Sequence, residues 1–93
     1  MSRQPTERAI EDLGIAMNSD PSNTALVSGC VCAIQMLKVY HPGSEERCIS
    51  TINNMSAWAK ATARTAGFGE LLDEAEQAWV DRGIIKRAKK EVK

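Results

Sequence analysis

Along residues 5 to 18, Ile10, Leu13 and Met17 recur at steps of three and four, with Ala9 and Ala16 beside them and Glu7, Arg8, Glu11 and Asp12 on the remaining positions. This is the stripe of an amphipathic helix over about residues 5–18, with one narrow apolar face and a solvated one on which Arg8 is spaced to meet Glu11 or Asp12. From Ala25 to Tyr40 the pattern changes: apolar residues run almost all the way round, leaving a thin polar strip of Thr24, Ser28, Gln35 and Lys38. A second helix over about 21–40 is therefore predicted to be surrounded, either by the rest of the chain or by a second subunit, and Gly29, Cys30 and Ala33 would let a neighbour come close.

A third stripe, Cys48, Ile52, Met55, Ala59, Ala63 and Ala66, predicts one helix over about 45–66, with Ser44 as its N-cap and Glu45 and Glu46 in its favourable first turn. Trp58 falls on the flank of this stripe, a position that serves either a core or a contact surface. A fourth stripe, Leu71, Leu72, Ala75, Ala78 and Trp79, opens a helix at about 70 that Ile85, Ala88 and Val92 continue to about 90, unless Gly83 frays it. The breaks fall at Asn18-Ser19-Asp20-Pro21, His41-Pro42-Gly43-Ser44 and Gly67-Phe68-Gly69. Strand alternation is absent, so the expectation is an all-α, compact four-helix bundle forming a single domain over residues 1–93. A chain of this size has a thin stability margin, and the bundle is expected to self-associate into a homo-oligomer.

Charge changes this picture in its distribution, since 12 basic residues balance 12 acidic ones. The fourth helix carries Glu70, Asp73, Glu74, Glu76 and Asp81, and past them the sign reverses in Arg82, Lys86, Arg87, Lys89 and Lys90, a basic end over 82–93. These two patches are the expected protein-binding surfaces. The helix, GFG turn and helix spanning this region do not suit a DNA reader, because four acids in the first turns of the second helix would face phosphates. The basic end is the one segment suited to nucleic acid, which makes nucleic-acid binding through the tail an alternative function.

Candidate chemistry is sparse. Cys30 and Cys32 lie two apart on a helix and point about 160° away from each other, so they neither share a metal nor close a disulfide. With Cys48 the count is odd, and a single histidine, His41, leaves too few ligands for a zinc set. All three cysteines read as buried, reduced, structural thiols, and no metal or other cofactor is expected. No carboxylate pair, nucleophile with its base, or phosphate-cradling glycine loop stands out, so the chain is not expected to be an enzyme. The N-terminus lacks the pattern of a secretory signal, and Ser28, Gln35 and Lys38 interrupt the most apolar window, so no membrane helix is expected and the reading is a cytoplasmic protein.

The stretch HPGSEERCISTINNMSAWAKATAR, residues 41 to 64, resembles the second helix of phage anti-defence proteins that form helical hairpins and sequester cyclic oligonucleotides. There a Pro-Ser turn precedes an amphipathic helix that ends in a Trp-Ala-rich, Ala-Arg stretch, here Trp58, Ala59, Ala61, Ala63 and Arg64. The chain as a whole resembles small helical accessory proteins of tailed phages and mobile elements, including inhibitors of bacterial immunity that work by binding. That resemblance implies a non-enzymatic accessory protein that binds and blocks a host protein complex. The narrower resemblance implies an oligomer that sequesters a nucleotide-like ligand, with Arg47, Trp58, Lys60 and Arg64 as ligand-binding candidates.

Overall fold

A computed structural model describes residues 5–85, all of whose regular structure is helical: α1 (Pro5–Ser19), α2 (Thr24–Tyr40), a one-turn 3-10 helix (Pro42–Ser44), α3 (Glu45–Asn53), α4 (Ala57–Thr65) and α5 (Gly69–Asp81). The all-α expectation is met, with five α-helices among the described residues where four were expected. The four-residue link between α1 and α2 sends them back along each other, α3 packs across α1 and α5, and α4 lies on α2 and α5. One core results, in which Ile10 and Met17 of α1 meet Val27, Cys30, Val31 and Ile34 of α2, Cys48, Ile49 and Ile52 of α3, Ala59 and Ala63 of α4, and Leu72 and Ala75 of α5.

The extra helix comes from a break in the third stripe. Asn54 closes α3 with its backbone N–H on the Ser50 carbonyl at 2.9 Å, and Ser56, in extended backbone, opens α4 by accepting the Ala59 N–H on its hydroxyl at 3.1 Å. Asn18 of α1 holds the break from outside: its Oδ1 accepts the Ser56 N–H at 2.7 Å and its Nδ2 donates to the Asn54 carbonyl at 3.3 Å. One helix of 22 residues would run about 33 Å, past the ends of its neighbours, whereas the bend folds α4 back onto α2. Most predicted core positions survive this: Cys48, Ile52, Met55, Ala59 and Ala63 are buried on the two sides of the bend, and Ala66, past the end of α4, is half-buried.

Two other boundaries move, and one expected cap is not made. Helix α2 begins at Thr24, three residues later than expected, because the Asn23 side chain accepts the Leu26 N–H at 3.0 Å and is the true cap. Ser44 does not cap α3; its hydroxyl donates to the His41 carbonyl at 2.7 Å and closes the 3-10 turn instead. Helix α5 ends at Asp81, because Gly83 takes a left-handed φ of 77° and Ile84 N–H returns to the Trp79 carbonyl at 3.0 Å, a termination that glycine alone makes without strain. The expected continuation to about 90 lies, from residue 86 on, outside the described residues.

Helices α1 and α3 approach closely at Gly14. A Cβ on Gly14 would stand 2.7 Å from the Thr51 methyl, so the helices approach as closely as they do because position 14 has no side chain. Two residues on from Thr51, Asn53 Nδ2 donates to the Ala75 carbonyl at 2.8 Å and ties α3 to α5. No described helix is long and apolar enough to cross a membrane.

Candidate interaction surfaces

Among the described elements α2 is the longest and most apolar, and the structure divides its two sides. Val27, Cys30, Val31 and Ile34 face the core, while Ala25, Gly29, Cys32, Met36, Val39 and Tyr40 are exposed. The two cysteines do point apart, as helix geometry requires, with different consequences. Burial pushes the Cys30 thiol up from its ordinary value, whereas Cys32 lies in the open, which corrects the expectation that all three thiols are buried. Surrounding elements cover the sides of α2 and leave its outer side bare: Met36 is 57%, Val39 69% and Tyr40 71% exposed. The expectation of a surrounded helix is thus met by the rest of the chain on one side of α2 only. Apolar residues scattered singly on a surface need no explanation, whereas these lie along one side of one helix.

The second surface is the outer face of α5, where Glu70, Asp73, Glu74, Glu76 and Asp81 are all exposed. Part of this charge is spent inside the chain. Arg64 Nη2 bridges to Asp73 at 3.0 Å and Gln77 donates to Asp81 at 2.8 Å, while Glu70, Glu74 and Glu76 have no ion-pair partner among the described residues. Arg82 is engaged too: Nη2 meets Glu46 at 2.6 Å and Nη1 donates to the Ala78 carbonyl at 2.9 Å, which locks the end of α5 to the start of α3. Lys86, Arg87, Lys89 and Lys90 lie outside the described residues.

The four ligand-binding candidates do not converge within the chain. Arg47 lies between α3 and α1, where Nη1 pairs with Glu11 at 3.1 Å and the buried Nε makes no hydrogen bond; it lines a shallow groove with Ile15 and Asn18. Trp58, Lys60 and Arg64 stand on α4, Arg64 turned to α5. Trp58 is 62% exposed, which decides between its two readings in favour of a surface residue. The segment 41–64 that resembles one helix of a hairpin folds as the 3-10 turn, α3 and α4.

A cavity of about 160 Å³ opens between α2, α3 and α5, floored by Ile34, Cys48 and Ile52 and rimmed by Lys38, Glu45 and Glu74. Its thiol is a poor nucleophile. Burial pushes Cys48 up, against the smaller opposing effects of the Ser44 hydroxyl at 3.9 Å and the Lys38 charge. Among the described residues no group of three or more His, Cys, Asp or Glu is placed to hold a metal ion.

The apolar face of α2 was half legible in the sequence, as an all-apolar helix; which residues of it remain open depends on where α1, α3 and α4 pack. Comparison of the chain with known protein families, with curated proteins and with solved structures finds no match.

Proposed function

We propose that the protein acts by non-covalent contact with other proteins, as a phage-type accessory protein that binds and blocks a host complex. The observation that supports this most is the open stripe of α2, Ala25, Gly29, Cys32, Met36 and Val39, beside stripes of α1, α3, α4 and α5 that are buried or half-buried among the described residues. Leaving it in water forfeits the burial free energy of about 1.5–3 kcal/mol that each large apolar side chain offers, a cost that an interface recovers. The carboxylates Glu70, Glu74 and Glu76 give the same small body a surface of opposite character, suited to selecting and steering a basic partner.

The test is site-specific photo-crosslinking in cells, with a photoreactive residue placed at position 36, at position 76, or at Asp12 of α1 as an exposed polar control. Discrete protein adducts from 36, with fewer from 12, are the expected result. Equal, diffuse labelling at all three positions would refute the reading. Adducts from 76 to a defined host protein identify the complex that is blocked, and their absence there removes the host-blocking half of the proposal.

A further inference from the structure

We propose that the open face of α2 is covered by a second copy of this chain, the two α2 helices lying antiparallel about a two-fold axis that passes between Cys30 and Val31. This rests on the reading of that face as a protein contact, and names the occupant.

The first argument is spacing. Ala25, Gly29, Cys32, Met36 and Val39, all exposed, recur at alternating steps of four and three, the 3.5-residue repeat by which one helix keeps a straight seam against another. The second is volume. The seam is small at its N-terminal end and large at its C-terminal end, so it complements itself only when reversed. In the antiparallel arrangement Ala25 meets the partner's Met36, Gly29 meets the partner's Cys32, and Ser22 meets the partner's Val39, with every contact repeated by the two-fold. Each layer then joins a smaller side chain to a larger one, which fills space evenly. A Cβ at Gly29 would have nothing within 4 Å, so this glycine is dispensable inside the protomer and leaves room for a partner's backbone. Parallel pairing would stack Met36 on Met36 and Gly29 on Gly29, crowding one end and leaving a gap at the other.

Charge selects the same orientation. Helix α2 contains no acid, and the exposed Asp20 just precedes it. Antiparallel packing sets Asp20 opposite the partner's His41, whereas parallel packing sets Asp20 against Asp20. The ends of the seam supply aromatic area. Tyr40 falls opposite the partner's Pro21, at the end of the molecule where Trp58 is held: two residues before Trp58, Ser56 is bonded to Asn18, and four residues after it, the Thr62 hydroxyl donates to the Pro21 carbonyl at 2.6 Å. Both rings are largely exposed in the protomer, and the two-fold brings a tyrosine to the tryptophan-bearing end at each extremity of the seam. A strip about 25 Å long and one helix wide is small beside the roughly 800 Å² per partner of a standard interface, so these ends are needed and the dimer is a micromolar, concentration-dependent one.

Sedimentation of the full chain over a micromolar concentration series is expected to show a monomer–dimer equilibrium. Met36→Glu, at an exposed position, leaves the helical fold intact and weakens dimerisation at least roughly tenfold. Orientation is read by mixing two variants under mild oxidation, Cys32→Ser with Ala25→Cys and Cys32→Ser with Met36→Cys. Disulfide-linked heterodimers should predominate over either homodimer. Predominant homodimers would overturn the antiparallel arrangement, and a monomer at every concentration would overturn the proposal. A photo-adduct from position 36 to a foreign protein, or to residues 86–93 of the same chain, with no self-adduct, would overturn the second copy; a foreign adduct would leave the reading of the face as a protein contact standing.

Discussion

The two sides of α2 are made of much the same material and live in opposite environments. Inward, Val27, Cys30, Val31 and Ile34 are enclosed; outward, Ala25, Gly29, Cys32, Met36 and Val39 meet solvent. Hydrophobicity therefore does not say which side of such a helix is core, because it measures only the tendency to be covered. The neighbours decide: α1, α3 and α4 are amphipathic helices with one apolar stripe each, and together they cover little more than half of α2.

The contrast breaks most visibly by truncation. Ile34→Ala should cost about 2–5 kcal/mol in denaturant unfolding, since it empties part of an enclosed core, while Met36→Ala should change the same quantity by less than about 0.5 kcal/mol at concentrations where the chain is monomeric. Comparable losses at both positions would mean that the outer side is packed after all.

Two glycines in helix interiors, Gly14 and Gly29, sharpen the comparison. Gly14→Ala drives a Cβ into the Thr51 methyl and should cost about 1–3 kcal/mol, most of it recovered in the double variant with Thr51→Ser, which removes that methyl. Gly29→Ala adds a methyl to open space in a helix interior and should stabilise the monomer by about 0.5–1 kcal/mol. Thermal unfolding of the three variants checks both signs.

The smallest effect is on the thiols. Cys32 should react with a maleimide in the native protein well before Cys30 and Cys48, read by mass mapping of the modified site. Burial raises both enclosed thiols, so they ionise later folded than unfolded; stability is complete below the ordinary thiol value and declines as pH climbs from there towards the folded ones. Unfolding curves from neutral to alkaline pH should show this decline, and Cys48→Ala should reduce it.

Core membership was well marked in the sequence, helix boundaries less so. The stripe Cys48, Ile52, Met55, Ala59, Ala63 continues in phase across Asn54-Met55-Ser56, so periodicity alone reads one helix. Two adjacent asparagines followed by a serine, poor helix formers and good caps, were the local signal of the break. Asn18, 38 residues before Ser56 in the chain, supplies the hydrogen bond that fixes it, and no local pattern contains that partner. The same holds for Arg47 and Arg64, which looked available for a ligand and are paired with Glu11 and Asp73.

By itself the sequence determined the helical class, the stripes that form the core, the opposed directions of Cys30 and Cys32, and the charge of α5, because these follow from backbone periodicity and residue chemistry within a few turns. Tertiary structure alone decided that the third stripe bends, that Trp58 and Cys32 are exposed, and that one side of α2 is left bare. Those depend on how far three neighbouring helices reach around a fourth, a matter of packing between segments distant in the chain.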